Sequence, residues 1–574
     1  MPSNRTISRR RKTLLTAGAA AGLLTIGGVA ATAAQLTAAP EPTPIGFTQE
    51  RSAEIAKQID PAKPRNVILI IGDGMDDSMI TAARNYEYGA GGRFPALDAL
   101  PFTGAMTTYG LKAGPNPADY PIAYVSDSAP TASGWSTGKK TIDSRLSQGP
   151  SSSLTVPGVD YETVLEKYKK EGKRVGDITT AELTDATPAA AAAHINARAC
   201  QGPANMADCT AARKTNGGKG SVAEQLVDNK VDVLMGGGMA RFTQATDVGG
   251  GETVLSYAQA KHGYRVIDEV TDLSGVTSLA DGPVLGLFAS GNMTPMYQPL
   301  VATAAGSGSA TTRCEEAVRG TQPDLSAMTK KSIELLDNPN GFFLQAESAM
   351  IDKQEHSSDI CGAIGDLKEL DETVQVALDY QVDHPDTLIV VTGDHSHSTQ
   401  IIGGNADDGV QRATVQTADG DPMSVAYSTN AVGSDHTGTQ IRVAASGPQA
   451  SNVTGVIDQT DLFLTLLGRT PSKLPTTPAT PLKPAISVVA PGSVSVKALK
   501  KSGIRVAVAA SGGKTVTLKL LQGKKVLDTA KVGKSGGAVK LQTGKAKRGS
   551  VKVVATVTGA GGSATGSDSV KVTR

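Results

Sequence analysis

Aromatic side chains are scarce in this 574-residue chain: one Trp, 8 Phe and 12 Tyr make up 4% of it, and none lies beyond Phe463. A C-terminal segment without a single ring has no platform on which nucleobases could stack, so sequence-specific nucleic-acid binding there is not expected. Cysteine is nearly as rare. The four fall as Cys200 with Cys209 and Cys314 with Cys361, and neither pair has the CxxC spacing of a zinc–thiolate site. Long apolar runs in series are missing, which excludes a polytopic membrane protein, and 64 Gly and 30 Pro without a strict period exclude collagen. Nor is there a net excess of either charge, with 56 Lys+Arg against 55 Asp+Glu.

That last balance is the sum of opposite parts. Residues 485–574 hold seventeen Lys/Arg and two acids, Asp528 and Asp568, for a net +15, and five basic residues lie in the first twelve positions. The middle, 35–484, therefore carries −19. An acidic body with a basic tail, too long for one core, implies at least two domains.

The N-terminus places Arg9-Arg10-Arg11-Lys12 before an uncharged run over 13–39, with small-residue cleavage candidates at Ala31-Thr32-Ala33. This is the pattern of a twin-arginine signal peptide over 1–34, and its Ala/Gly content makes cleavage the expectation rather than retention as an anchor. In an exported, secreted or surface-associated chain an even cysteine count favours two local disulfides, which would close after export.

Apolar, β-branched runs at 67–71, 231–235, 341–345, 387–391 and 440–445 read as strands. Helical patterns lie at 164–171, 222–229, 325–336, 367–382 and 459–467. The alternation predicts an α/β body over 35–469 with a mostly parallel sheet whose sites gather at strand C-terminal ends. A Pro/Thr linker over 470–484 follows. From 485 onward the period is two, as in Val494-Ser495-Val496-Lys497 and Val516-Thr517-Leu518-Lys519. That predicts a small Ig-like β-sandwich with a lysine-rich outer face.

Five of the seven histidines, His356, His384, His395, His397 and His436, lie in the final third of the acidic body, most with a carboxylate nearby. Asp73 in Gly72-Asp73-Gly74 and Asp394-His395 follow predicted strands, Glu347 follows another, and Asp352 and His356 share one face of a helical turn. Alone, each residue suits a turn, a cap or a structural histidine. Together, four carboxylates and three histidines at the ends of one sheet would repel unless divalent cations compensated them. Ser128, with small residues after it, stands at the start of a helical stretch whose dipole favours an anion. With no histidine beside it in sequence, the hydroxyl needs a metal ion to become a nucleophile. Gly236-Gly237-Gly238 reads as a strand-end turn, and His194 and His262 as structural.

Ordered strings then carry a resemblance: IIGDGM around Asp73, DSAPTASGWSTGKK around Ser128, ITTAELTDATPAAAAAHINARAC from Ile178, FFLQAESAMIDKQEH from Phe342, VVTGDHSHS from Val390 and DHTGTQIRVAASGP from Asp435. Over roughly 65–468 the chain resembles the bacterial alkaline phosphatases, a resemblance that includes neither the signal nor the basic β-domain. It implies one zinc held by Asp352, His356 and His436, a second by Asp73, Asp394 and His395, and a magnesium by Asp73, Thr187 and Glu347 with Asp185 in reach through water. It further implies Ser128 as nucleophile, Arg198 as a two-point phosphate clamp, Lys353 as a positive charge near the phosphate through water, and His397 as a support for a ligand. Four ligand carboxylates against three divalent ions, the serine alkoxide, a phosphate dianion and Arg198 make the site near neutral only when loaded. The bacterial form with Asp185 and Lys353, rather than histidines, is the one matched. Tight product retention, with phosphate release limiting turnover at high pH, is the expectation.

The resemblance thus implies a secreted, broad-range phosphomonoesterase that scavenges phosphate, and a homodimer. Two other readings compete. A sulfatase lacks its Cys-x-Pro-x-Arg, because no arginine follows Ser128-Ala129-Pro130 at the required place, and a phosphodiesterase fits poorly with Arg198 and three metals. A non-catalytic surface protein would rest on the basic tail, which either holds anionic wall polymers or serves as a lysine-coated spacer.

Overall fold

The structure, a computed structural model, describes residues 50–116, 119–403, 410–427, 429, 434–469, 484–511, 515–533, 536–559 and 562–574. The signal over 1–34 and nearly all of the linker over 470–484 lie outside the described residues. The chain divides into two compact units between Leu466 and Leu467.

In the first unit the run Asn66–Gly72 is wholly buried and takes the centre of a ten-stranded sheet. Thr387–Gly393 flanks it on one side and Phe342–Ser348 on the other, both parallel and both buried along their length. Continuous apolar strands of this kind need cover on both faces: Leu325–Leu336 and Ile360–Asp383 pack on the face of Ile68, Phe342 and Leu344, and Val164–Lys170 packs on the other, where Tyr168 meets Phe343. Beyond Phe342–Ser348 come Arg174–Glu182, Val233–Gly237, Val284–Leu287 and Arg265–Ile267, all parallel. Beyond Thr387–Gly393 comes Ile441–Ser446, antiparallel to both of its neighbours. That reversal matters, because residues just before an antiparallel strand reach the same sheet edge as residues just after a parallel one.

The sequence reading places 67–71, 341–345 and 387–391 within two or three residues of the observed strands. It sets Glu347 beyond its strand, whereas Glu347 lies inside Phe342–Ser348. Arg174–Glu182 was not legible as a strand because Asp177, Thr179 and Thr180 interrupt its apolar run, although all three are buried. The helix expected from 367 begins at Ile360, where the Asp359 side chain accepts from the Cys361 amide and caps it.

The second unit packs a three-stranded sheet (Ala485–Val489, Ile504–Ser511, Gly536–Leu541) against a five-stranded one (Ser493–Ser495, Gly562–Thr573, Gly549–Gly559, Thr515–Gln522, Lys525–Val532) around one Val/Leu core. One expectation fails here. The alternation at 494–497 reads as strand, but Val496–Lys501 is a helix. Ser495 caps it by accepting from the Ala498 amide, and Leu499 turns inward at helical spacing while Lys497 and Lys500 stay exposed.

Candidate active site

Three central strands end in register and deliver their polar successors to one place. Gly72 is level with Gly393 and Ser348, so Asp73, Asp394 and Glu347 meet at the sheet's C-terminal edge. The chain turns away through Gly74, whose φ of +74° suits glycine and whose amide donates to Asp394 Oδ1 at 2.9 Å. A Cβ there would lie 3.1 Å from the Asp352 Cα. Asp352 and His356 sit one turn apart on the helix Met350–His356, and His436 arrives just ahead of the reversed strand.

Asp352 Oδ1 lies 3.4 Å from His356 Nε2 and 3.2 Å from His436 Nε2, and the two ring nitrogens are 3.1 Å apart. None of these approaches to the carboxylate has hydrogen-bond geometry, and Oδ1 is buried without a partner. The rings' other nitrogens explain why. His356 Nδ1 and His436 Nδ1 face the backbone carbonyls of Ser434 and Ser126, which can only accept, so in the neutral rings each Nδ1 carries the proton and each Nε2 presents a lone pair. Three donor atoms turned on one another at these distances match one face of a tetrahedron, whose edges are about 3.3 Å for zinc–nitrogen bonds of about 2.0–2.1 Å. The residues fit a metal ion.

His395 repeats the pattern. Its Nδ1 faces the Ser396 carbonyl, and its Nε2 lies 3.2 Å from Asp394 Oδ2, 3.5 Å from Asp73 Oδ1 and 3.2 Å from Ser128 Oγ. Asp73, Asp352 and His395 converge as a second group able to hold a metal, so Asp352 reaches towards both. His397 also falls among the first group's donors, 3.4 Å from Asp352 Oδ1. Its Nδ1, however, accepts from the Ser398 amide, which fixes the proton on Nε2 and turns an N–H, not a lone pair, towards the carboxylate. For the third set, Asp73 Oδ1 and Thr187 Oγ1 are buried without partners, and Glu347 accepts from the Thr179 hydroxyl. An all-oxygen set suits a hard cation.

The electrostatics express the crowding. Burial, reinforced by Asp352 and Asp394, pushes Asp73 far up, and burial lifts Glu347 to about 8 and Asp394 to about 6. Burial would lower His436, but the Asp352 carboxylate 3.2 Å from its Nε2 outweighs that and raises it to about 9. His395 and His397 are driven down by burial, the latter to about 2. A neutral His395 so reluctant to take a proton is a poor base for Ser128, even though it stands beside it.

Ser128 is the first residue of the helix Ser128–Thr137, and the cap is Asp127, whose side chain accepts from the Ala129 amide. Arg198 is pinned by Asp127 at Nη1 and Asp185 at Nη2. Lys353 Nζ bonds Asp185 Oδ2 at 2.9 Å. Asp185 therefore ties two cations together and is held well below the usual carboxylate range against the cost of burial. Asp127 was missed by the sequence reading, although its place as an Asp before a small-residue helix start is a capping signal.

Other expectations separate from this cluster. His384 stacks on Tyr380 with centroids 4.0 Å apart and precedes Thr387–Gly393, at the opposite sheet edge. His194 bridges the Ser147 carbonyl and Glu166, His262 meets Asp228, and Gly238, at φ +94°, forms the strand-end turn. Cys200–Cys209 and Cys314–Cys361 are disulfides. No helix among the described residues is long and apolar enough to cross a membrane.

A family profile described as alkaline phosphatase matches residues 64–433. The chain is 43% identical over 427 residues to alkaline phosphatase H of Pseudomonas aeruginosa (strain UCBPP-PA14), covering 73% of this chain and 87% of that protein. It is 41% identical over 429 residues to the alkaline phosphatase of Escherichia coli (strain K12), covering 73% and 89%. The solved alkaline phosphatase of the Antarctic bacterium TAB5 shares the fold, with a TM-score of 0.53 at 22% identity over 71% of this chain and 98% of that one. The metal-fitting cluster beside a helix-borne serine thus sits in a chain whose relatives align along most of their own length, and the chain belongs to the alkaline phosphatase family and is a phosphoric monoester hydrolase.

Proposed function

We propose that the protein is a secreted, broad-range alkaline phosphatase that scavenges phosphate through a phosphoserine at Ser128. Two zinc ions would be held by Asp352, His356 and His436 and by Asp73, Asp394 and His395, and a magnesium by Asp73, Thr187 and Glu347. When bound, such ions supply Lewis acidity to the oxygens that gain charge and ease ionisation of the attacking hydroxyl and water. The observation that carries this reading is Ser128 Oγ at 3.2 Å from the Nε2 that also faces Asp73 and Asp394.

Ser128 Oγ forms the new P–O bond as the ester P–O bond breaks, and the alcohol leaves with a proton. Water then attacks the phosphoserine, releases inorganic phosphate and returns the hydroxyl to Ser128. The helix N-terminus beneath Ser128 favours the anion in both halves. Arg198 keeps a second N–H on each Nη beyond those given to Asp127 and Asp185, enough to hold two non-bridging oxygens. A diester lacks the second free charge, which favours monoesters. Lys353, tied to Asp185, adds charge that retains the product, and His397 steadies Asp352 rather than binding metal. The Arg-Arg start and the two disulfides support export.

The test is hydrolysis of an aryl phosphate at pH 8 to 10 before and after chelation, with zinc and magnesium then restored. Loss and recovery of activity are expected. A metallated protein inert on monoesters but active on diesters or sulfate esters would overturn the reading.

A further inference from the structure

No residue of the second unit is used in the chemistry above, yet its charge is highly organised. From residue 485 onward every described Lys and Arg is exposed, and among the described residues there no salt bridge engages them. On the five-stranded sheet the inner face is Val516, Leu518 and Leu520 on one strand and Val551 and Val553 on the next, all buried. The outer face is hydroxyl-bearing, with one lysine per strand on four adjacent strands.

Their registers place these lysines in line. Lys531 is level with Thr517, two residues from Lys519 on the neighbouring strand. Lys552 is level with Leu521, two residues beyond Lys519. Lys571 is level with Ser550, two residues beyond Lys552. The stripe Lys531, Lys519, Lys552, Lys571 thus crosses the sheet on one diagonal, each step a diagonal cross-strand neighbour about 7–8 Å away. Thr517, Thr529 and Thr556 surround its first half, where the face dips into a shallow cavity of about 750 Å³ lined by Thr515, Lys519, Lys531 and Thr558 among others.

We propose that this stripe is a binding site for a linear polyol phosphate, such as poly(glycerol phosphate). Successive phosphorus atoms in such a chain are six single bonds apart, the reach of about two extended peptide units or ~7 Å, which matches the lysine step. Each lysine then meets one phosphate as a point charge, and the threonine hydroxyls donate to the remaining oxygens. A single-stranded nucleic acid has the same six-bond phosphate repeat, but the unit has no aromatic residue on which its bases could stack. The polyol polymer is therefore favoured. The inference stands independently of the catalytic reading, since it uses no residue of the first unit.

The test uses the full chain and immobilised poly(glycerol phosphate). Lys519→Gln, Lys531→Gln, Lys552→Gln and Lys571→Gln combined should weaken binding by at least about tenfold and flatten a log affinity against log salt slope of about −3, as four phosphate contacts predict. A control of equal charge, Lys497→Gln, Lys500→Gln, Lys540→Gln and Lys545→Gln, should change affinity by less than about threefold, since these lysines stand off the stripe. Both variants should keep the parent's aryl phosphatase activity and circular dichroism. Three results would each overturn the proposal: no binding by the parent, equal losses in both variants, or oligo(dT) binding as tightly as the polyol polymer. Failure of catalysis with binding intact would count against the active-site reading alone.

Discussion

Removing the metals should make the stability of the first unit depend on pH in a way the loaded protein does not share. Glu347, lifted by burial to about 8, binds its proton more tightly folded than unfolded. An acid raised in this way contributes stability at low pH, and that contribution is lost as pH climbs from its unfolded value near 4.5 through 8. His436, raised to about 9 by Asp352 against burial, also contributes fully below its unfolded value and loses that contribution as pH rises through 9. Both act in one direction between pH 6.5 and 9, together on the order of 4 kcal/mol, about 2 from each. Glu369, also near 8 but paired with Arg319 away from the cluster, titrates in both forms and cancels in the difference. Trp135 is the chain's one tryptophan and is buried in the helix that begins with Ser128, so its fluorescence follows the first unit alone. Urea melts at pH 6.5 and 9, with and without chelator, should show the metal's stabilising effect growing with pH. A chelated protein whose stability is flat or rises over that interval would show that Glu347 and His436 do not hold their protons more tightly in the folded, metal-free unit.

Three further outcomes follow from the same geometry. Lys353→Ala should raise the inhibition constant for inorganic phosphate several-fold, and if release limits turnover at high pH it should raise kcat as well; pre-steady-state kinetics with no burst in the parent would oppose this. Burial would raise Glu166, but the hydrogen bond and charge of His194 outweigh it and draw it to about 2. Its stabilisation, about 3 kcal/mol, is present above pH 4.5 and lost as pH falls towards 2, so Glu166→Gln should flatten the acid limb of the stability profile with kcat unchanged. Cys314→Ser with Cys361→Ser opens a link spanning 47 residues and should cost about 4 kcal/mol on the loop-entropy account, read from urea midpoints.

Much of the site was legible because its residues follow the most regular strands. The Val/Ile runs before Asp73 and Asp394 leave no doubt about period or direction, so their polar successors were visible as a group. Legibility fails where tertiary contacts decide. His384 carries the same composition signal as its neighbours, but it precedes a strand instead of following one, and that alone sends it to the other sheet edge. Asp127 is invisible as a partner for Arg198 until Ala186–Ala192 and its cap Asp185 are seen to bring the guanidinium across. The roles of His397 and His436 differ by which neighbour meets Nδ1, an amide in one case and a carbonyl in the other. The strand Arg174–Glu182 hides behind Asp177, whose polarity is absorbed by Gln345 deep in the sheet. In the second unit a period-two pattern yields to a helix because one serine finds an amide to cap.

The most direct test of the central claim is to quench the metallated enzyme at acid pH during turnover of a radiolabelled phosphomonoester and locate the label by peptide mass. Phosphate is expected covalently on Ser128, with no label and no turnover in Ser128→Ala. Label elsewhere, or a Ser128→Ala protein that still hydrolyses the ester at the parent's rate, would contradict that claim.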